Sequence, residues 1–100
     1  MNVCADEDFL VANGEYAQQY RSLSQQLPKA QRDRLRRAQT AWLSFRTAAC
    51  RFESGAAAGG SVQHYVYWTC AARMTRERSA ELARIGTCRE GDITCTAKKP

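Results

Sequence analysis

The stretch LRRAQTAWLSFRTAAC, residues 35–50, holds a tryptophan, a phenylalanine, a cysteine, three arginines and no acid. Its spacing decides the fold. Leu35, Ala38, Trp42, Phe45, Ala49 and Phe52 recur at intervals of three and four residues, the period of one face of an α-helix. The spacing predicts a helix over 29–53 whose apolar seam packs on other helices. A second row, Arg36, Gln39, Leu43, Arg46 and Cys50, runs beside the seam at the same intervals. Arg36, Gln39 and Arg46 read as bracing groups, because a guanidinium fork can tie helix ends together and stack on an aromatic ring.

Upstream, Phe9, Ala12, Tyr16, Tyr20, Leu23 and Leu27 predict a helix over about 6–26. Asp6, Glu7 and Asp8 stand at its expected start, where carboxylates suit the positive end of the helix dipole. Gly14 weakens it, and Pro28 ends it or opens the next helix. The run GAAAGG, 55–60, reads as a flexible connector, with Ser61 expected to cap a third helix. Val62, Val66, Cys70, Met74, Leu82 and Ile85 share one face of that helix. Arg78 interrupts the face and is expected to lay its stem on apolar surface with its head in water. Tyr65, Tyr67 and Trp68 surround its first half, and Gly86 is expected to end it. Short links between three helices favour an antiparallel up-down-up order. The expectation is an all-α fold, a small antiparallel three-helix bundle stapled by disulfides. It occupies residues 1–86, followed by a cysteine-containing tail over 87–100 that ends in Lys98, Lys99 and Pro100.

Five cysteines in 100 residues, at 4, 50, 70, 88 and 95, read as a disulfide set. None makes a CxxC pair, and His64 is the single histidine, so zinc is not expected. An oxidising compartment follows, either periplasm or the cell exterior, with an odd cysteine left over. Up-down-up order places Cys4, Cys50 and Cys70 near one end. A bridge from Cys4 to either of the others would pin the first helix. Cys88 with Cys95 would close a small local loop, and a tail folding back to Cys70 is a further pairing. Residues 1–10 contain no export signal, so one is expected to have been removed ahead of them. No apolar run is long enough for a transmembrane helix.

The formal net charge is +5 at pH 7, and Lys29–Arg51 holds seven basic residues against one acid. That is the electrostatic footprint an anionic partner would need. No nucleic-acid-binding motif accompanies it, so nucleic acid is not expected, and the phenylalanines read as seam residues rather than membrane contacts. His64 has no carboxylate near it in sequence, and Glu77 and Glu81 stand among arginines, so neither suggests catalysis. Gly59, Gly60 and Ser61 read as a connector and cap rather than a phosphate loop. No cofactor is expected.

The residues Leu35, Arg36, Ala38, Gln39, Ala41, Trp42, Leu43, Phe45, Arg46, Ala48 and Cys50 resemble the signature of the LprI-like family of small secreted bacterial proteins, long treated as a domain of unknown function. Gly59, Gly60 and Ser61 match its connector. Cys70, Thr75, Arg78, Glu81 and Leu82 match the helix that follows, and Cys4 and Tyr20 match its start. The resemblance covers residues 2–84. It implies export, a disulfide-held helical fold, no enzymatic activity and a protein partner in the cell envelope. The family's name-giving lipoprotein is described as a lysozyme inhibitor. The chain departs from the pattern at Tyr16, Ala17 and Thr47, the last replacing an aspartate beside Arg46. For an inhibitor, the partner contacts are expected at Asp6, Glu7 and Asp8 and at the connector with Gly59 and His64. The alternative is a structural or stress-related envelope protein. Binding of an anion or a nucleic acid through the basic helix is a more remote one.

Overall fold

A computed structural model describes residues 2–57, 59–88 and 91–96; Lys98, Lys99 and Pro100 lie outside them. Three helices follow in order: α1 (Asn2–Gln26), α2 (Lys29–Gly55) and α3 (Gly60–Ile85). There is no sheet among the described residues. Pro28 separates α1 from α2. It lacks an N–H and disfavours helical geometry in the residue before it, so α1 stops there. Its own backbone is extended (φ −66°, ψ 160°), and its carbonyl accepts the Arg32 N–H at 2.9 Å as the first bond of α2.

The turn into α3 depends on glycine. Gly59 and Gly60 are consecutive residues at φ 76° and 69°, a region that L side chains rarely adopt. Gly59 is the N-cap residue, and no side chain caps α3. Ser61 therefore lies inside the first turn, two positions past the cap. Gly55 and Gly60 both join helices, so the connector is shorter than the expected 55–60. The start of α1 also differs: it begins four residues earlier, which moves Asp6, Glu7 and Asp8 beyond the first turn and out of reach of the helix dipole. Gly86 follows α3 in right-handed geometry (φ −75°), so its freedom at positive φ is not used.

The order is up-down-up. The pairs Cys50–Cys70 and Glu53–Arg73 place the end of α2 beside the first half of α3, and Gln39 meets Arg78 farther along. The α1 and α3 backbones run in parallel and approach most closely. Ala5 and Ala12 on α1 and Ala71 and Ala72 on α3 are buried, and side chains that small permit the approach. The result is a rod 51 Å long and about 20 Å across.

Its core has two parts. Tyr16, Leu23, Leu27 and Leu82 form one, with Tyr20, Leu35, Trp42 and Ile85 against it. Cys50, Cys70 and Ala71 form the other, with Phe9, Tyr67, Trp68 and Met74 packed on it. Phe45 and Phe52 belong to neither, being 62% and 84% exposed. The inward row of α2 is Leu35, Gln39, Trp42, Arg46, Cys50 and Ser54. The expected seam was thus rotated by part of a turn, because polarity alone ranks a phenylalanine inside a glutamine or an arginine.

Hydrogen bonds explain why the polar row turns inward. Buried Gln39 donates to the Tyr16 hydroxyl and accepts from Arg78 Nε at 2.9 Å. Arg78 also donates to Glu81. Its side chain is 14% exposed, so its head is not in water as expected but fixed between helices. The Arg46 guanidinium lies 5.1 Å from the Phe9 ring centre and 5.3 Å from that of Trp42, and donates to Thr75 Oγ1 at 3.1 Å. Burial lowers the Arg46 pKa from its ordinary value. Arg36, by contrast, is exposed and pairs with Asp33 at 3.1 Å.

Candidate binding site

The end of the rod where α2 passes into α3 gathers the most diverse chemistry. Cys50 and Cys70 are bridged there, their Cα atoms 5.6 Å apart. Beside the bridge lies a surface groove of about 450 Å³. Arg51 and Ser54 of α2 form one wall, and Gly60, Gln63, His64, Tyr67 and Trp68 of α3 form the other. The Trp68 ring is locked from three sides, at 4.9 Å from Phe9, 5.0 Å from Tyr67 and 6.1 Å from His64, centre to centre. Gln63 accepts the Gly59 N–H at 3.0 Å and so ties the connector to α3.

The acids of α1 reach this end but do not form a free patch. Asp6 binds His64 Nε2 at 2.8 Å, joining residues 58 apart in sequence. Asp8 accepts two bonds from Arg76. The hydrogen bond from Arg76 holds the Asp8 carboxyl below its ordinary pKa, and the same bond raises that of Arg76. Glu7 is exposed. Two of the three acids expected to contact a partner are thus engaged inside the fold.

Cys4 is exposed and free, so no bridge pins α1. Cys88 pairs with Cys95 to close the short local loop, and the tail does not fold back onto Cys70. Asp92 organises that loop by accepting the Thr94 N–H at 2.9 Å.

The groove offers a guanidinium, an imidazole, an amide and two aromatic rings, which suits recognition of a carboxylate beside an apolar surface. The Ser54 hydroxyl donates to the Cys50 carbonyl at 2.7 Å, so it is committed to the backbone and not to a base. Among the described residues no group of His, Cys, Asp and Glu is placed to hold a metal ion. Arg51, Ser54 and Gln63 were not expected here. The only signal was the helical phase that puts Arg51 and Ser54 one turn apart, and it identifies a groove only once the α2–α3 packing is known.

These features define a small disulfide-stapled helical module with a surface groove at one end. Residues 1–82 match the family model described as "Lysozyme inhibitor LprI", and the chain belongs to that family. An uncharacterized protein of Rhizobium meliloti (strain 1021) is 29% identical over 98 residues, covering 85% of this chain and 70% of its own. The crystal structure of a DUF1311-family protein from Pseudomonas putida KT2440 superimposes with a TM-score of 0.75 at 26% identity. It covers 88% of this chain and 92% of that one. The family is described by inhibition rather than catalysis, and the protein is non-enzymatic in that sense.

Proposed function

We propose that the protein is exported and inhibits a lysozyme-like cell-wall hydrolase through its disulfide end. The observation that carries this reading is the family match over residues 1–82. The site supports it in two ways. The groove and connector are fixed by the Cys50–Cys70 bridge and by the Gly59–Gln63 bond, so little order has to be gained on binding. Arg51 also presents a cation, and glycosidase clefts carry paired carboxylates. The two disulfides suit an oxidising compartment.

Charge narrows the partner. With Asp6 and Asp8 engaged by His64 and Arg76, the described residues of the +5 chain hold no free acidic cluster at this end to attract a basic enzyme. The preferred hydrolase is therefore neutral or acidic around its cleft. Calorimetric titration of the oxidised protein into acidic and basic lysozyme-like hydrolases checks this. Tighter binding to the acidic enzymes is expected, and preference for the basic ones would contradict it.

A further inference from the structure

We propose that the outer face of α2 docks the protein onto anionic lipid surfaces, a property beyond hydrolase inhibition. Ala38, Ala41, Phe45, Ala48 and Phe52 are all exposed and spaced by three and four residues. They form an apolar stripe about 21 Å long at the ordinary helical rise. It is distinct from the inward row of the same helix. Arg34 continues the stripe one turn before Ala38, and Arg37 and Arg51, the latter shared with the groove, lie along one side of it; among the described residues none of the three has a carboxylate partner. The two acids of α2 are engaged elsewhere: Asp33 pairs with Lys29 and Arg36, and Glu53 pairs with Arg73. The face is thus apolar along its length and cationic at one end and along one side.

Shape and charge select the occupant. Phe45 and Phe52 protrude from a convex rod with alanines between them. A protein partner would need shaped pockets for both rings, whereas a bilayer interface takes protruding rings without one and draws arginines to its phosphates. A shallow notch of about 430 Å³ borders the stripe and brings the Ser44 hydroxyl near Arg51, both donors for a headgroup phosphate. A second copy fits poorly. Antiparallel pairing of α2 about Ser44 sets Arg37 against Arg51, and parallel pairing sets Arg34 against Arg34.

Flotation with vesicles tests this, using equal parts phosphatidylglycerol and phosphatidylcholine against phosphatidylcholine alone. The oxidised protein is expected to float with the anionic vesicles only, and to be released when salt rises from about 50 to about 500 mM. The double variant Phe45→Ser, Phe52→Ser keeps every charge. It is expected to retain native helicity by circular dichroism and to bind at least about tenfold more weakly. Arg34→Gln with Arg37→Gln should weaken binding to the anionic vesicles as well. No flotation of the native protein at low salt would overturn the proposal. Unchanged flotation of the folded phenylalanine variant would overturn it equally, because net charge alone would then explain binding. Self-association that the same substitutions abolish, without any flotation, would assign the face to a second copy instead.

Discussion

Gln39 shows how a single side chain can connect all three helices. Its amide nitrogen donates to Tyr16 of α1 and its oxygen accepts from Arg78 of α3. Replacing it leaves a buried phenol without its partner and a nearly buried guanidinium with Glu81 alone, and unmade bonds of this kind are costly. Gln39→Ala is expected to lower stability by about 2–4 kcal/mol in a denaturant titration. A loss within the range of ordinary surface substitutions would show that water replaces both bonds. Arg46 acts by area as well as charge, since Phe9 and Trp42 lie on its planar group. Arg46→Lys keeps the charge but not the stacking or the Thr75 bond, and is expected to cost about 1–2 kcal/mol. The Asp8 carboxyl is held below its ordinary pKa by Arg76, so its ion pair favours the folded state above the unfolded value of about 4. That contribution is lost as pH falls through the depressed folded value. Both partners are well exposed, so the effect is small. Asp8→Asn should remove this part of the acid dependence of the melting temperature.

At the scale of elements, the two disulfides have different work. Cys50–Cys70 spans 20 residues and joins α2 to α3, whereas Cys88–Cys95 spans seven and lies beyond α3. Replacing both Cys50 and Cys70 with alanine is expected to cost the bundle about 3 kcal/mol. Replacing Cys88 and Cys95 should leave its unfolding transition nearly unchanged. Gly14 is a different case. An added Cβ there meets nothing within 4 Å, so Gly14→Ala should stabilise α1 by about 0.5–1 kcal/mol. The three helices were legible in sequence because Leu23, Leu27, Leu82 and Trp42 follow the helical period, and Pro28 and the paired glycines punctuate it. The facing of α2 was not. Phe45 and Gln39 lie on adjacent rows of one helix, and which row turns inward depends on Tyr16 and Arg78, far away in the chain. The Asp6–His64 contact was hidden for the same reason, since 58 residues separate the partners.

For the whole molecule, the rod carries two kinds of surface that meet at Arg51. The groove at the disulfide end combines Arg51 with Trp68 and Tyr67, while the outer face of α2 carries Phe45 and Phe52 with Arg34 and Arg37 nearby. Such a layout would let the protein lie along a membrane while its end stays open to an enzyme. The bundle itself supplies rigidity, because the Cys50–Cys70 bridge fixes the groove walls and the consecutive positive-φ glycines fix the turn beside them. The most direct measurement is a dose-dependent activity assay of acidic lysozyme-like hydrolases in the presence of the oxidised protein. The account predicts saturable one-to-one inhibition at micromolar concentration or below, and at least about tenfold loss with folded Arg51→Glu or Trp68→Ala. Full hydrolase activity at every protein concentration, or undiminished inhibition by both variants, would contradict it.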